Sequence, residues 1–278
     1  MPSTLFSYET LVHAMAGATG SIIGMAVFYP LDTLRSRLQV EDSNKFQGSS
    51  LDVLIKLAKE EGFESWYKGL SPVLQSLSIS NFVYFYTFHG LRRTSSKTSA
   101  LQDLMFGIVA GSINVILTSP LWVVNTRMKL EATSYDNLFQ GLIYLFKKEG
   151  LKGLWSGTLP SLLLVSNPAI QFMVYESLKR NFIAKGSFDT YKAFMIGASA
   201  KAVATTLTYP LQLIQMRLRA GTSLKPLFRD MRSKPLAIFR GLEAKLIQTV
   251  MTAALMFLIY EKLVRLVLTI MRVRLSKH

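Results

Sequence analysis

The chain has 278 residues, half of them hydrophobic, and a mean hydropathy of +0.28. It carries 32 Lys+Arg against 17 Asp+Glu, a formal net charge of +15, a combination that fits a membrane protein with basic loops. The basic residues sit between apolar runs and form no long basic helix or arm, which argues against nucleic acid as a partner, and the lack of cysteine removes disulfide, zinc-thiolate and thiol-nucleophile chemistry.

No basic n-region precedes an apolar h-region at the N-terminus, so we expect neither a cleaved secretory signal nor a soluble domain ahead of the first span. His13, His89 and His278 are scattered and form no metal-ligand pair. The first apolar run, Leu11 to Tyr29, continues past Pro30 and predicts a proline-kinked span over about 10–39. A polar loop follows, then an amphipathic surface helix over Leu51 to Glu61 with Leu51, Leu54, Ile55 and Ala58 on one face, ended by Gly62. A second span runs from about Pro72 to Leu91. The pattern then restarts: a span over Leu104 to Leu130, a surface helix over Leu138 to Glu149 ended by Gly150, and a span over about 158–179. A third round gives a span over about 191–219, a shortened surface segment, and a last span over about 241–266. Each span is long enough to cross a hydrocarbon core of roughly 30 Å.

The period is explicit. Pro30-Leu31-Asp32-Thr33-Leu34-Arg35-Ser36-Arg37 recurs ninety residues later as Pro120-Leu121-Trp122-Val123-Val124-Asn125-Thr126-Arg127, and after ninety more as Pro210-Leu211-Gln212-Leu213-Ile214-Gln215-Met216-Arg217. We therefore expect an all-α membrane protein built from three two-helix repeats, over 1–98, 99–186 and 187–278. Two spans per repeat return the chain to its starting side. The repeats then point the same way and are related by a pseudo-threefold axis along the membrane normal, with a substrate site near that axis.

This pattern resembles the signature of the mitochondrial carrier family: Pro-x-acidic-x-x-basic-x-basic, followed by acidic-Gly-x₄-aromatic-basic-Gly. Repeat one matches in full, with Glu61-Gly62 and Tyr67-Lys68-Gly69. Repeat two departs at Trp122, Asn125 and Ser156, and repeat three at Gln212, Gln215 and Ser233-Lys234. The resemblance implies a gate beside the prolines, formed in the family by a ring of ion pairs. Its pairing order would set Asp32 against Gln215, Arg35 against Trp122, and Gln212 against Asn125, with Gln39 as a bracing glutamine. No acid–base pair survives in that order, so a weak gate is expected. A second gate is implied at the other end by Tyr175-Glu176-Ser177-Leu178-Lys179, by His89 and Arg92, and by Glu261; the alternative is that these are charges snorkelling at helix ends.

In the family, substrate touches positions thirteen before that second gate. Here these are Ser76, Leu163 and Gln248, and one and two turns on they continue as Ser80, Asn167 and Thr252, then Tyr84, Gln171 and Met256. Most are polar in otherwise apolar helices, as cavity walls are. Hydroxyls, amides and an aromatic ring suit a neutral heterocycle better than a small carboxylate. Lys201, mid-span and nine before Pro210, is read either as a phosphate-binding charge or as a lysine paired with a helix-end carbonyl or snorkelling through the cavity. Gly17, Gly107 and Gly197 are read as helix-packing positions.

Further segments, among them 81–88, 119–127, 166–172 and 241–246, resemble the peroxisomal branch of the same family. That likeness implies an alternating-access antiporter of coenzyme A, FAD, FMN, NAD⁺ and AMP or ADP as transported substrates, with no bound cofactor and no enzymatic activity. It also implies contact with membrane lipids, a functional monomer, and delivery by a peroxisomal membrane-protein import chaperone. The alternatives are a mitochondrial inner-membrane carrier of another nucleotide or cofactor, and a non-transporting membrane scaffold.

Overall fold

The computed structural model describes residues 23–40, 50–93, 99–130, 135, 137–183, 190–233, 235–252 and 255. Among them there is no strand. Repeat one contains α1 (Tyr29–Val40), α2 (Ser50–Glu61), a 3₁₀ turn (Phe63–Tyr67) and α3 (Leu70–Arg93). Repeat two contains α4 (Ala100–Leu130), α5 (Leu138–Leu154), α6 (Thr158–Leu164) and α7 (Asn167–Ile183). Repeat three contains α8 (Thr190–Arg219), α9 (Lys225–Ser233), a second 3₁₀ turn (Pro235–Phe239) and a further helix over 242–252.

The prolines are handled in different ways. Pro120 and Pro210 lie inside the continuous helices α4 and α8. Ahead of Pro30 the chain takes a turn at Phe28, bridged by Phe28 N→Gly24 O (3.2 Å) and Asp32 N→Phe28 O (3.3 Å). A proline has no N–H for the carbonyl four residues back. At Pro120 that carbonyl belongs to Ile116, and the Trp155 indole N–H donates to it at 2.9 Å. Trp155 is the signature aromatic of repeat two. In repeats one and three the equivalent rings stack instead on the tyrosine preceding the proline, Tyr67 on Tyr29 and Phe239 on Tyr209. Those tyrosines donate to Lys68 O (3.0 Å) and Arg240 O (2.6 Å). Repeat two has Ser119 in their place and lacks this tie.

One expectation is corrected. The span over 158–179 is broken at Val165–Ser166, between α6 and α7. Pro168 offers no amide to Leu164, and the chain closes the turn with Val165 N→Leu162 O and Ser166 N→Leu163 O instead. By length and apolarity only one described helix, Leu101–Leu130, qualifies as an uninterrupted span; α5 with α6 and α7 qualifies as a pair bent by 53°. The six-span reading rests on length and period. Helices α3 and α8 fall short in apolarity because polar residues are threaded through them, Ser76, Ser78 and Ser80 in one and Lys201, Thr205 and Thr208 in the other.

The proline helices α1, α4 and α8 touch one another pairwise. Helix α3 packs on α4 and α7 on α8, so each second helix leans on the first helix of the next repeat. Ala244, in the helix over 242–252, packs with Leu34 and Leu38 of α1 and closes the cycle. The surface helices seal the underside. Val53 of α2 joins Leu34 and Leu38, whereas Ile55, expected on that face, is exposed; Leu138 and Leu145 of α5 join Val124 and Met128, the ninety-residue counterparts of Leu34 and Leu38. Exposed Phe82, Tyr86, Leu117 and Leu207 give the spans an apolar outer face.

The cyclic order is written in main-chain contacts. Arg127 Nε donates to Arg219 O (3.2 Å), and Arg217 Nε donates to Gln39 O (2.9 Å). Each is the last signature arginine of one repeat, reaching the carbonyl nine residues after the next repeat's proline. Cations at helix C-termini meet both free carbonyls and the negative end of the dipole. The signature glycines sit in the same cycle. Gly69 lies against Lys129, Gly157 against Gln215 and Arg219, and Gly241 against Leu38 and Arg35; all three have positive φ, +78° to +82°. A β-carbon on Gly241 would stand 2.9 Å from Tyr209 Oη, so both conformation and space require glycine there. The packing reading of glycines shifts by one turn. Gly197 has open space, whereas a β-carbon on Gly111 would come 2.8 Å from Val165 Cγ1. Gly17 lies outside the described residues.

Candidate functional site

Where α1, α4 and α8 meet, the expected pairs, none of them acid–base, give way to an ion pair. Asp32 is buried, and its carboxylate accepts from Lys129 Nζ, also buried. Arg35 Nη1 lies 3.7 Å from the other carboxylate oxygen, and Lys129 Nζ stands 4.4 Å over the Tyr29 ring. Gln215 does not reach Asp32; its Nε2 donates to Ser161 Oγ at 2.7 Å. Gln212 Nε2 donates to Thr208 Oγ1 at 3.1 Å, not to Asn125, whose buried amide meets no protein hydrogen-bond partner. Arg35 turns to Asp32, while Trp122 lines the cavity described below. The proline end thus holds an acid–base pair that the pairing order omitted. A buried carboxylate favours a full countercharge over an amide. Lysine's four-carbon stem lets that charge arrive from outside the ring.

Lys129 stands nine residues after Pro120, as Gln39 does after Pro30 and Arg219 after Pro210. Gln39 is fully buried, and its amide Nε2 and Oε1 meet no hydrogen-bond partner. The same offset applied to all three repeats finds both cations, and attention to repeat one alone misses them. Below the gate, Arg127 also grips Glu149 of the surface helix, with Nη2–Oε2 at 2.8 Å. This bond holds the Glu149 carboxyl below the usual glutamate range, against a smaller opposing effect of burial.

Above the gate lies a cavity of about 550 Å³ between α3, α4, α6, α7 and the end of α8. It has three chemical zones. At one end Tyr84 and Phe88 stack at 6.1 Å between centroids. In the middle Ser80 and Asn114 exchange hydrogen bonds, Nδ2→Oγ at 2.9 Å and Oγ→Oδ1 at 3.1 Å. At the gate end stand Trp122, Ser161, Gln215 and Arg219. Of the expected wall residues, Ser80 and Tyr84 line this cavity. Asn114, on a first helix, and Ser161 were missed, because the stripe search covered only fixed positions on second helices.

The remaining wall positions lie elsewhere. Ser76 and Gln248 are buried, and Ser76 Oγ and Gln248 Oε1 meet no protein partner. Leu163 is exposed; Gln171 and Thr252 are half-buried. Asn167 Nδ2 donates to Thr208 Oγ1 (2.7 Å), and Lys201 Nζ donates to Asn167 Oδ1 at 3.4 Å. Met256 and Glu261 lie outside the described residues. At the second gate, Arg92 meets Asp103 of the next repeat at 3.3 Å. Glu176 and Lys179 pair within one helix turn at 3.6 Å, and His89 stacks on Phe85. Such half-exposed pairs contribute little. Among the described residues, the buried cross-repeat ion pair is at the proline end.

Three tandem helix pairs in cyclic order, joined at their proline helices beside a cavity of mixed apolar and polar lining, define a three-repeat membrane carrier. The chain belongs to the mitochondrial carrier protein family, whose model matches residues 6–99, 96–186 and 186–270. It is 46% identical over 306 residues to the peroxisomal membrane protein PMP34 of Mus musculus, covering 99% of each chain. It is 30% identical over 319 residues to a peroxisomal nicotinamide adenine dinucleotide carrier of Arabidopsis thaliana, covering 92% of this chain and 96% of that one. A peroxisomal adenine nucleotide carrier 1 of Glycine max is 30% identical over 291 residues, with 92% of this chain and 91% of the relative covered.

Proposed function

We propose that this carrier is an alternating-access antiporter of nucleotide-type cofactors in the peroxisomal membrane. The observation that carries the reading is the zoned cavity: stacked rings, a hydroxyl–amide pair and a guanidinium within about 550 Å³, a size usual for small-molecule sites. An aromatic face takes a purine, an amide reads its edge, and a cation takes phosphate. The names of the NAD and adenine nucleotide relatives support the same class. Ser76 and Gln248 keep the role of substrate-contact positions, since each holds a buried polar atom that the protein leaves unpaired. Within the class, coenzyme A, FAD, FMN, NAD⁺ and AMP or ADP are the candidate substrates. The chain works as a monomer, reaches the organelle with an import chaperone, and catalyses no chemical reaction.

The test is counter-exchange. Purified protein in liposomes loaded with AMP, NAD⁺ or coenzyme A takes up the labelled nucleotide, and liposomes loaded with malate do not. Exchange confined to dicarboxylates overturns the reading. Fluorescent tagging in cells decides between peroxisomal and mitochondrial membranes.

A further inference from the structure

We propose that Arg219 forms, with Ser161 and Gln215, the subsite that takes the substrate's phosphate at the gate end of the cavity. This deepens the nucleotide reading above and rests on it for the identity of the ligand. Arg219 lines the cavity at the C-terminal end of α8. Its Nη2 donates to Ser161 Oγ at 3.1 Å, while its buried Nε meets no protein partner. The hydroxyl it touches is already engaged: Gln215 donates to it at 2.7 Å and it donates to Gly157 O at 2.6 Å. The guanidinium therefore has one shared, neutral acceptor and five donors to satisfy.

No carboxylate offsets it among the described contacts. Asp32 is occupied by Lys129 and Arg35. Arg35 acts on Arg219 as a like charge, and Lys245 lies in the field of Arg35, Asp32, Lys129 and Lys201. Among the residues that line the cavity Arg219 is the cation, no carboxylate stands beside it at the gate end, and an anion completes it. The guanidinium fork and the Gln215 amide match phosphate oxygens, which accept bidentate donors. The opposite end, with Tyr84 and Phe88, leaves the heterocycle to the aromatic pair. A nucleotide's phosphate gives the Arg219 guanidinium the acceptor that a nucleoside lacks.

The side chain can be changed without undoing the fold. The clasp from Arg127 lands on the main-chain oxygen of Arg219, which every substitution retains. The experiment uses the full chain in detergent and titrates AMP, adenosine and inorganic pyrophosphate, reading melting-temperature shifts, with AMP exchange in liposomes measured in parallel. Wild type is expected to bind AMP about ten- to a hundredfold more tightly than adenosine, the range for charge-assisted bonds. Arg219→Gln brings AMP down to the adenosine level, and Arg219→Lys keeps part of the preference. Equal preference for AMP in wild type and R219Q overturns the subsite. So does a wild type that no phosphate compound stabilises, or an R219Q effect that follows the anionic lipid content rather than AMP. Loss of the AMP preference in R219Q without exchange in wild type keeps the subsite and rejects the antiport reading.

Discussion

The proline-end lock can be weighed residue by residue. Asp32 serves two cations: Lys129 is bound to it directly and Arg35 sits 3.7 Å away. Removing one partner of a buried pair generally costs about 3–5 kcal/mol, mostly because the other charge is stranded. The two partners are not equivalent here. Lys129→Met leaves Asp32 with Arg35 still in reach, so the loss falls below that range, at about 1–3 kcal/mol. Asp32→Asn leaves Lys129, Arg35 and Lys245 facing one another, so the loss sits at the upper end, about 4–5 kcal/mol. In a chain of this size each kcal/mol moves the melting temperature by about 2–4 °C. The expected drops are then about 8–20 °C for D32N and about 2–12 °C for K129M, D32N the larger at any one slope. The double variant D32N/K129M melts above D32N, because the stranded cation goes with the acid. Scanning fluorimetry on detergent-purified variants measures all four corners of the cycle. Equal drops for the two single variants, or a double variant at the sum of both, would refute the asymmetric lock.

Three other outcomes follow from the same geometry. Glu149 has a depressed folded pKa through Arg127, so its contribution is present above the ordinary glutamate pKa of about 4.3 and lost as pH falls through the lower folded value. The melting-temperature gap between wild type and Glu149→Gln is therefore open at pH 7 and closes below about pH 4.3. Gly62 and Gly241 share φ near +81°, but only Gly241 lacks room for a β-carbon. Gly62→Ala costs strain alone, about 1–3 kcal/mol, and Gly241→Ala costs more; the reverse order in urea or thermal unfolding contradicts the close approach to Tyr209. Lys201→Met lowers apparent affinity for phosphorylated substrates in liposome uptake if Lys201 adds to their binding, and an unchanged affinity leaves its amide contact with Asn167 as its whole role.

What could be read from the chain was whatever a short stretch decides for itself. The helix stop at Gly62, the kink of α5 at Gly150 (φ +68°), the signature glycines and the proline period all depend on local backbone rules. The lengths of α3, α4 and α8 follow from runs of apolar residues bounded by polar ones. What could not be read was partner choice between helices. Asp32 finds Lys129 from ninety-seven positions away because interhelical distance and side-chain reach favour it over Gln215. The break at Pro168 was hidden for a related reason. Whether a proline interrupts a helix depends on who answers the orphaned carbonyl, and at Pro120 the answer is an indole thirty-nine residues from Ile116. Most of the cavity escaped a search of fixed positions on second helices, since the larger part of its polar lining, Asp103, Asn114, Thr118, Gln215 and Arg219, stands on first helices.

The clasps by Arg127 and Arg217 land on carbonyl oxygens, and that choice frees two positions. A carbonyl is supplied by any residue type, so nothing in the clasp dictates the side chain at 39 or 219. The two sites use that freedom differently: a buried amide at Gln39 and an unspent guanidinium at Arg219. The contacts that close the helix cycle are thus indifferent to sequence at 219, beside the cavity, where substrate preference can be rewritten without loosening them.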